Sequence, residues 1–351
     1  MPRSVPSAPP PSAPPLAPIR RRFRRRAPPA TTPRLSVVIV NYCQWENTAA
    51  LVRQILRTTA ARTGAVEVVV VDNHSAPHPL AARLRRWPGV SLRRWGRNHG
   101  FARAVNEGCR LSRGQWFLLL NPDLALTDGF LDGALALMDR LDAEDPRAGV
   151  VGFQLLNGDG SPQLSSGNFP TLPGTLAGLL RPRARRKYRA VRSRQRCRVP
   201  WVTGCCLLLR RECLRELGGL DESFFLYYED VDLCLRARSH GWSVWYEPGL
   251  RAVHHDPVHG RPVPPALRVL TRHSLLTYGR CHWPVWQFNL LAGVVRAEAW
   301  LRGLAARWRG DKAAAAIFAT LGSIARDLRA GDAKGARRRL ENVVRAGDPR
   351  I

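Results

Sequence analysis

The sequence predicts an α/β protein organised around a sheet with parallel strands, and two observations carry that expectation. Three short runs, 35–40, 66–71 and 116–120, are apolar on both faces, as strands covered by helices on each side must be. Between them lie helical stretches at about 47–61 and 101–111, so strand, helix, strand, helix and strand follow in order. A shorter extended piece is expected at 90–95. Each buried run closes on polar residues: Asn41, then Asp72-Asn73, then Asn121-Pro122-Asp123. In open α/β sheets these strand ends face the crevice where ligands bind.

The second half is less regular. It reads as a strand at 149–156, a turn at 157–160, a loop of low order at 165–198 and an extended run at 201–210. A helix near 212–217, a Gly218-Gly219 turn, a helix ending near Gly241 and a short strand at 242–246 follow. From about 267 the pattern is helical, with Trp283, Trp286, Trp300 and Trp308 along it; packing against the α/β domain is the favoured reading of those rings. The expected organisation is a tail over 1–33, an α/β domain over 34–265 and a helical extension over 266–351. The α/β domain divides into halves at 34–130 and 149–265.

The 351 residues can bury a full core without disulfides. A net charge of +28, from 55 Lys and Arg against 27 Asp and Glu, points to an anionic partner such as lipid headgroups, phosphate esters or nucleic acid. The competing reading is GC-biased coding, because nearly all the basic residues are Arg beside abundant Ala, Pro and Gly. Residues 1–33 hold eleven prolines and seven arginines with no acid, a composition that cannot fold alone, so a disordered basic tail is expected. Ten of the eighteen residues in 181–198 are basic, which predicts a surface loop. The eight cysteines form no C-x-x-C pair and read as buried thiols of a reducing compartment. Prolines interrupt every candidate signal segment, and no run reaches the roughly 18–20 apolar residues of a membrane span. A cytoplasmic protein with peripheral contact at the inner membrane face is the resulting expectation.

Several polar clusters carry candidate chemistry. Asp123 can meet a divalent ion that clamps a diphosphate, with Mg²⁺ or Mn²⁺ completing its shell from phosphate and water. From its position alone, a helix cap is the favoured reading. Asp72 shares that ambiguity with a side-chain-bonded turn. Asn98-His99-Gly100-Phe101 opens a helix whose N-terminus favours phosphate. Recurrence on one rim favours function. Glu229-Asp230-Val231-Asp232 sets three acids after an apolar run, and such crowding raises at least one carboxyl pKa towards that of a general base; a helix N-terminus attracting acids explains it too. His254-His255-Asp256 can complete a metal site begun by Asp123, though a surface pair is the commoner outcome.

The ordered set of segments resembles glycosyltransferase family 2, in its bacterial rhamnosyltransferase-like branch, over roughly 35–281. The carrying pieces are 36–42, 69–73, 98–102, 119–123, Trp201-Val202-Thr203-Gly204, and 218–225 running into 229–232. The resemblance implies an inverting enzyme with the glycosyltransferase A fold, a Rossmann-like mixed sheet flanked by helices. It makes 34–130 the nucleotide-sugar half and 149–265 the acceptor half. It also implies donor-binding roles for Asn41, Asp72, Asn98, Gly100, Asn121 and Asp123, and acceptor-binding roles for Trp201, Gly204 and Glu229. Asp230 matches the general base, helped by Glu229. Asp123 and His254 match the metal ligands, with the register between His254 and His255 open, and Asn121 stands where many relatives have the first acid of an Asp-x-Asp pair. His74, His99 and the basic 181–198 stretch depart from the family pattern.

The implied donor is a nucleotide-sugar, with rhamnose on thymidine diphosphate the family-based choice, and the implied acceptor is a glycan or lipid-linked glycan in cell-envelope polysaccharide synthesis. A different class, a basic protein binding nucleic acid or an anionic membrane surface, would show steep salt dependence. The Arg-rich stretches carry little aromatic interleaving, so nucleic acid is not the expected partner. A dinucleotide oxidoreductase would need a G-x-G-x-x-G turn where Asn41-Tyr42-Cys43 stands.

Overall fold

The buried runs anticipated from the sequence form the centre of a mixed sheet in the computed structural model, which describes residues 32–179, 191, 193–255 and 263–346. Its strands are β1 (Leu35–Asn41), β2 (Val66–Asp72), β3 (Val90–Arg94), β4 (Trp116–Leu120), β5 (Leu124–Leu126), β6 (Ala148–Leu156), β7 (Pro162–Gln163), β8 (Ser166–Gly167), β9 (Cys197–Arg198), β10 (Trp201–Val202), β11 (Cys206–Arg210) and β12 (Ser243–His254). The helices are α1 (Trp45–Leu56), α2 (Thr59–Arg62), α3 (Pro79–Leu84), α4 (Phe101–Leu111), α5 (Phe130–Glu144), α6 (Leu172–Leu179), α7 (Arg211–Glu216), α8 (Glu229–Ser239), α9 (Pro265–His282), α10 (Val285–Trp308), α11 (Lys312–Arg329) and α12 (Ala333–Ala346).

The main sheet runs β3-β2-β1-β4-β11-β6-β12-β5. β1 to β4 are parallel to one another, β11 is antiparallel to both neighbours, β12 is parallel to β6, and β5 is antiparallel to β12. β1 shows why its sequence carries apolar residues on both faces. Leu35, Val37 and Ile39 enter one core with α1 and α5, while Val38 and Val40 enter the opposite core with α4 and α8. On that second face α4 comes close enough that a Cβ on Gly108 would lie 2.4 Å from Val38 Cγ1.

Several boundaries differ from expectation for local reasons. The 47–61 helix breaks at Thr58, whose side chain accepts from Ala61 N and so caps a separate α2. The extended run at 201–210 parts into β10 and β11, leaving Thr203, Gly204 and Cys205 outside the ladder. The short strand at 242–246 continues to His254, because a register shift between Glu247 and Arg251 absorbs Pro248-Gly249. Within 165–198, where low order was expected, β8, α6 and β9 form. Most of the Arg-rich stretch (180–190 and 192) and residues 1–31 of the basic tail lie outside the described residues.

Helices α9 to α12 build a third apolar cluster around Leu270, Leu276, Leu291, Leu321 and Leu340. Phe225 and Leu172 from the α/β part insert into it, so the extension shares a core with the sheet domain. Trp283 is half-buried, its indole N–H donating to Pro170 O at 3.1 Å. Trp286, Trp300 and Trp308 are instead exposed along α10, contrary to the packing expected of them.

Candidate active site

The crevice is assembled from the ends of β1, β2 and β4, the Thr203–Cys205 break and the start of α8. Asn41 is fully buried and bonded at both polar atoms: its Nδ2 donates to Asp72 Oδ1 (2.8 Å) and Ser75 Oγ (3.0 Å), and its Oδ1 accepts from Thr48 Oγ1 (2.8 Å). It ties the end of β1 to the next turn and has no face towards solvent. Asp72 is also fully buried, with Oδ1 bonded to Asn41 and Ser75 N, and Oδ2 to Arg94 Nε at 2.8 Å. The Arg94 ion pair follows from sheet register, because Asp72 and Arg94 are partners across β2 and β3. Arg94 also lies over the Trp45 ring at 5.4 Å. A ligand reaches Asp72 directly only by displacing one of these groups.

Asn98 interlocks with Asn73. Its Oδ1 accepts from Asn73 Nδ2 (2.8 Å) and Gly100 N (2.9 Å), while Asn73 Oδ1 accepts from His99 N (2.9 Å). Gly100 has φ 91°, and a Cβ there would lie 2.7 Å from Phe225 O. The close approach anticipated at Gly100 is therefore made to the Phe225 backbone, and the first amide of α4, Phe101 N, donates to Phe225 O at 2.6 Å. His99 is pushed down to about 4 by burial and then by Arg103 and Arg97, so it stays neutral near pH 7.

Asn121 and Asp230 are joined through two consecutive residues. Cys205 O accepts from Asn121 N (2.8 Å), and Gly204 N donates to Asp230 Oδ2 (3.1 Å). A Cβ on Gly204 would sit 3.3 Å from Asp230 Cβ, which accounts for glycine there. Asp230 Oδ1 accepts from Val231 N at 2.8 Å, so both oxygens are oriented by backbone amides. The Cys205 thiol is pushed up to about 12, first by burial and then by Asp123 and Asp230 together, so both carboxylates act on it. Trp201 is fully buried, with its indole N–H donating to Asn168 O (2.9 Å); it forms floor and exposes no surface to an acceptor.

The three acids of 229–232 separate by environment. Asp232 is bound to Arg236 (2.7 Å) and His282 (2.8 Å), a structural pairing that ties α8 to α9. Glu229 and Asp230, both buried, open α8. The preceding Tyr227 and Tyr228 have φ 73° and 69°, adjacent left-handed non-glycine residues that cost about 1–3 kcal/mol each. Among the described residues, the other non-glycine residues with positive φ are Cys43 and His74, just beyond β1 and β2. All four lie in segments that border the crevice.

Asp123 Oδ2 lies 3.4 Å from His254 Nε2, across β5 and β12. His254 Nδ1 lies 3.2 Å from Gln163 Oε1. With that amide oxygen accepting, Nδ1 carries the proton and Nε2 turns its lone pair to Asp123. Asp123 Oδ1 is buried with no hydrogen-bond partner. A lone pair facing a carboxylate, beside an orphaned carboxylate oxygen, is a donor set that fits a divalent cation. Among the described residues no group of three His, Cys, Asp or Glu side chains gathers, so water and phosphate oxygens would complete the shell. His255 contributes its backbone N–H to Asp123 O (3.1 Å). Gln163 and Arg94 were not anticipated, and Asn73 was read only as a polar strand end; Arg94 had a sequence signal in its place at the end of a strand parallel to β2.

Residues 36–218 match the glycosyl transferase family 2 domain, and 161–314 match the glycosyl transferase family group 2. The chain is 32% identical over 258 residues to the N-acetylglucosaminyl-diphospho-decaprenol L-rhamnosyltransferase of Mycobacterium tuberculosis, an alignment covering 68% of this chain and 81% of that one. It is 30% identical over 234 residues to the low-salt glycan biosynthesis hexosyltransferase Agl10 of Haloferax volcanii, covering 64% and 68%. Among solved structures it resembles GalNAc-T7 with UDP, GalNAc and Mn²⁺ at a TM-score of 0.52 and 19% identity, covering 71% of this chain and 48% of that one. That likeness bears on the fold, a glycosyltransferase A type sheet. The chain belongs to glycosyl transferase family 2 and is a glycosyltransferase.

Proposed function

We infer that this enzyme transfers a sugar from a nucleoside-diphosphate donor to a glycan or lipid-linked glycan acceptor, with inversion, in cell-envelope polysaccharide synthesis. The observation that carries the reading is the pairing of an orphaned Asp123 oxygen and His254 Nε2 with Asp230 held across the Thr203–Cys205 break. Asp123 and His254 would hold a divalent Mg²⁺ or Mn²⁺. Such an ion, when bound, neutralises charge on the leaving diphosphate. Asp230 accepts the proton of the acceptor hydroxyl as that oxygen bonds to the anomeric carbon and the bond to the diphosphate breaks. Gly204 N and Val231 N keep the carboxylate aimed during this step. Glu229 sits one residue away to bind the acceptor, and Trp201 supports the wall beneath it.

Donor contacts are proposed for Asn98, Gly100, Asn121 and Asp123, with Asn41 and Asp72 acting through the turn they hold together. The Mycobacterium relative's name supports rhamnose as the sugar and a lipid-linked diphosphate acceptor; thymidine diphosphate as the carrier rests on the family resemblance alone. A screen of nucleoside-diphosphate sugars for divalent-metal-dependent thermal stabilisation and hydrolysis tests the reading. Stabilisation by one donor only with metal is expected; indifference to every donor would remove it.

A lipid-linked acceptor must be met at a membrane, and α10 offers a surface suited to that. Trp286, Leu290, Gly293, Ala297, Trp300, Leu301, Leu304 and Trp308 recur at three- and four-residue spacing along a helix about 36 Å long. The three tryptophans are 64%, 67% and 90% exposed. Arg296 and Arg307 flank the stripe, as in helices that lie in an anionic interface. None of the described helices is long and apolar enough to cross a membrane. We propose that α10 rests at the anionic inner face of the cell membrane.

A further inference from the structure

A cavity of about 230 Å³ lies where α4, the segment before α8, and helices α9, α11 and α12 meet, apart from the crevice. That is far more than the ~10–15 Å³ that one water needs. Three of its lining residues each hold a buried side-chain atom without a hydrogen-bond partner: His273 Nδ1, Thr277 Oγ1 and Ser223 Oγ. His273 is 2% and Thr277 1% exposed, so neither is satisfied by bulk water. An unmade hydrogen bond at such a position is costly, and three in one cavity call for a ligand.

The charges around the cavity indicate what kind. Three guanidinium groups line it, from Arg103, Arg280 and Arg337. The two lining carboxylates are already paired, Glu222 with Arg103 (3.5 Å) and Glu341 with Arg337 (3.0 Å), whereas Arg280 has no carboxylate partner among the described residues. His273 is held neutral, pushed down to about 3 by burial and then by Arg337 and Arg280, so it can offer an N–H without a charge of its own. Two hydroxyls, one imidazole N–H and guanidinium forks together form a donor set for an oxyanion with several acceptor oxygens.

We propose that this cavity is a binding site for a phosphate-class oxyanion, bound by His273, Thr277, Ser223 and Arg280. Arg337 connects it to the crevice. Its Nη2 donates to His99 O at 2.6 Å, and its guanidinium stacks on Phe225 at 4.6 Å, the residue whose carbonyl receives Phe101 N. An anion in the cavity therefore immobilises Arg337 and, through it, the 98–101 turn. The binding site stands independently of the proposed donor role of that turn; only the consequence for catalysis rests on it.

The test is calorimetric titration of inorganic phosphate into the full chain with EDTA present, so that metal-assisted binding in the crevice does not contribute. Thr277→Val should weaken phosphate binding at least about tenfold, the loss expected for one hydrogen bond to a charged group. The same variant should melt at or above the wild-type temperature without phosphate, because it removes an orphaned hydroxyl. Arg280→Gln should weaken binding similarly. Phosphate should also slow amide exchange at 98–101 in the wild type. Competition by a short-chain phosphatidic acid assigns a lipid headgroup as the source of the phosphate, and lack of competition assigns a soluble one; either supports the site. Equal phosphate affinity in wild type and both variants, or unchanged exchange at 98–101, overturns the proposal. Failure of sugar transfer under every condition would instead count against the proposed function and leave these binding results intact.

Discussion

Gly204 donates its backbone N–H to Asp230 Oδ2 at 3.1 Å, while its neighbour Cys205 accepts from Asn121 N at 2.8 Å. Two adjacent residues thus fix the proposed base relative to the Asn121-Pro122-Asp123 turn. Gly204→Ala puts a Cβ 3.3 Å from Asp230 Cβ and should shift that carboxylate. The expected result is a drop in kcat of about 10–100-fold, with donor affinity unchanged, since small misplacements of a reacting group carry costs of that order. Steady-state kinetics beside donor titration separate the two quantities; a loss confined to donor affinity would place Gly204 elsewhere in the reaction.

Gln163 Oε1 lies 3.2 Å from His254 Nδ1, and by accepting there it would present Nε2 towards Asp123. Gln163→Leu should weaken Mn²⁺ binding in the presence of donor by about 10–100-fold, the usual effect of removing a partner that orients a ligand. His254→Ala and Asp123→Asn should weaken it further. Manganese electron paramagnetic resonance reads the free ion directly, and unaltered affinity in Gln163→Leu would show that His254 is oriented by other means.

Arg94 neutralises a carboxylate that has no access to water. Arg94→Ala should destabilise the fold by about 3–5 kcal/mol, because Asp72 is left buried and charged. Asp72→Asn in the same background should recover part of that loss. Urea denaturation of the single and double variants measures both; equal stability of wild type and Arg94→Ala would contradict the ion pair's structural role.

His273 gives a pH dependence with a definite sign. Its folded pKa, about 3, lies below the ordinary value of 6.5, so between these limits the unfolded chain binds a proton that the folded chain does not. Stability attributable to His273 is complete above pH 6.5 and falls as the pH drops towards 3, by up to about 1.4 kcal/mol per pH unit. His273→Leu should flatten that slope in melts recorded from pH 7 to pH 4. An identical slope in both proteins would mean that other groups carry the acid sensitivity.

The α10 stripe predicts behaviour that leaves stability untouched. Trp300→Ser and Trp308→Ser together should reduce flotation with anionic vesicles several-fold without changing the melting temperature, since both rings are exposed. Unreduced flotation would assign membrane contact to another surface, the basic segments included.

Much of the sheet was legible because its signal is local. The β1, β2 and β4 runs are apolar on both faces, and α4 begins and ends where its pattern does. The features that set the site depend on residues far apart in sequence. Periodicity cannot show that Trp201 to Arg210 parts at Gly204, that β12 carries through Pro248-Gly249 to bring His254 beside Asp123, or that Gln163 meets His254 across 91 positions. Spacing alone does not separate the three acids by environment: Asp232 is paired to His282, fifty residues later, and Glu229 and Asp230 are left to the crevice. Gly100 was legible as a close approach, but its partner, Phe225, was not.

The central claim is that Asp123 and His254 support metal-dependent donor binding while Asp230 performs the proton transfer. Its most direct test is transfer from the nucleoside-diphosphate sugar that stabilises the protein, followed with and without Mn²⁺ in wild type and Asp230→Asn. The expected result is metal-dependent product in wild type and none in Asp230→Asn, which still binds metal and donor with wild-type affinity. Full turnover by Asp230→Asn, or transfer that persists in EDTA, would contradict the account.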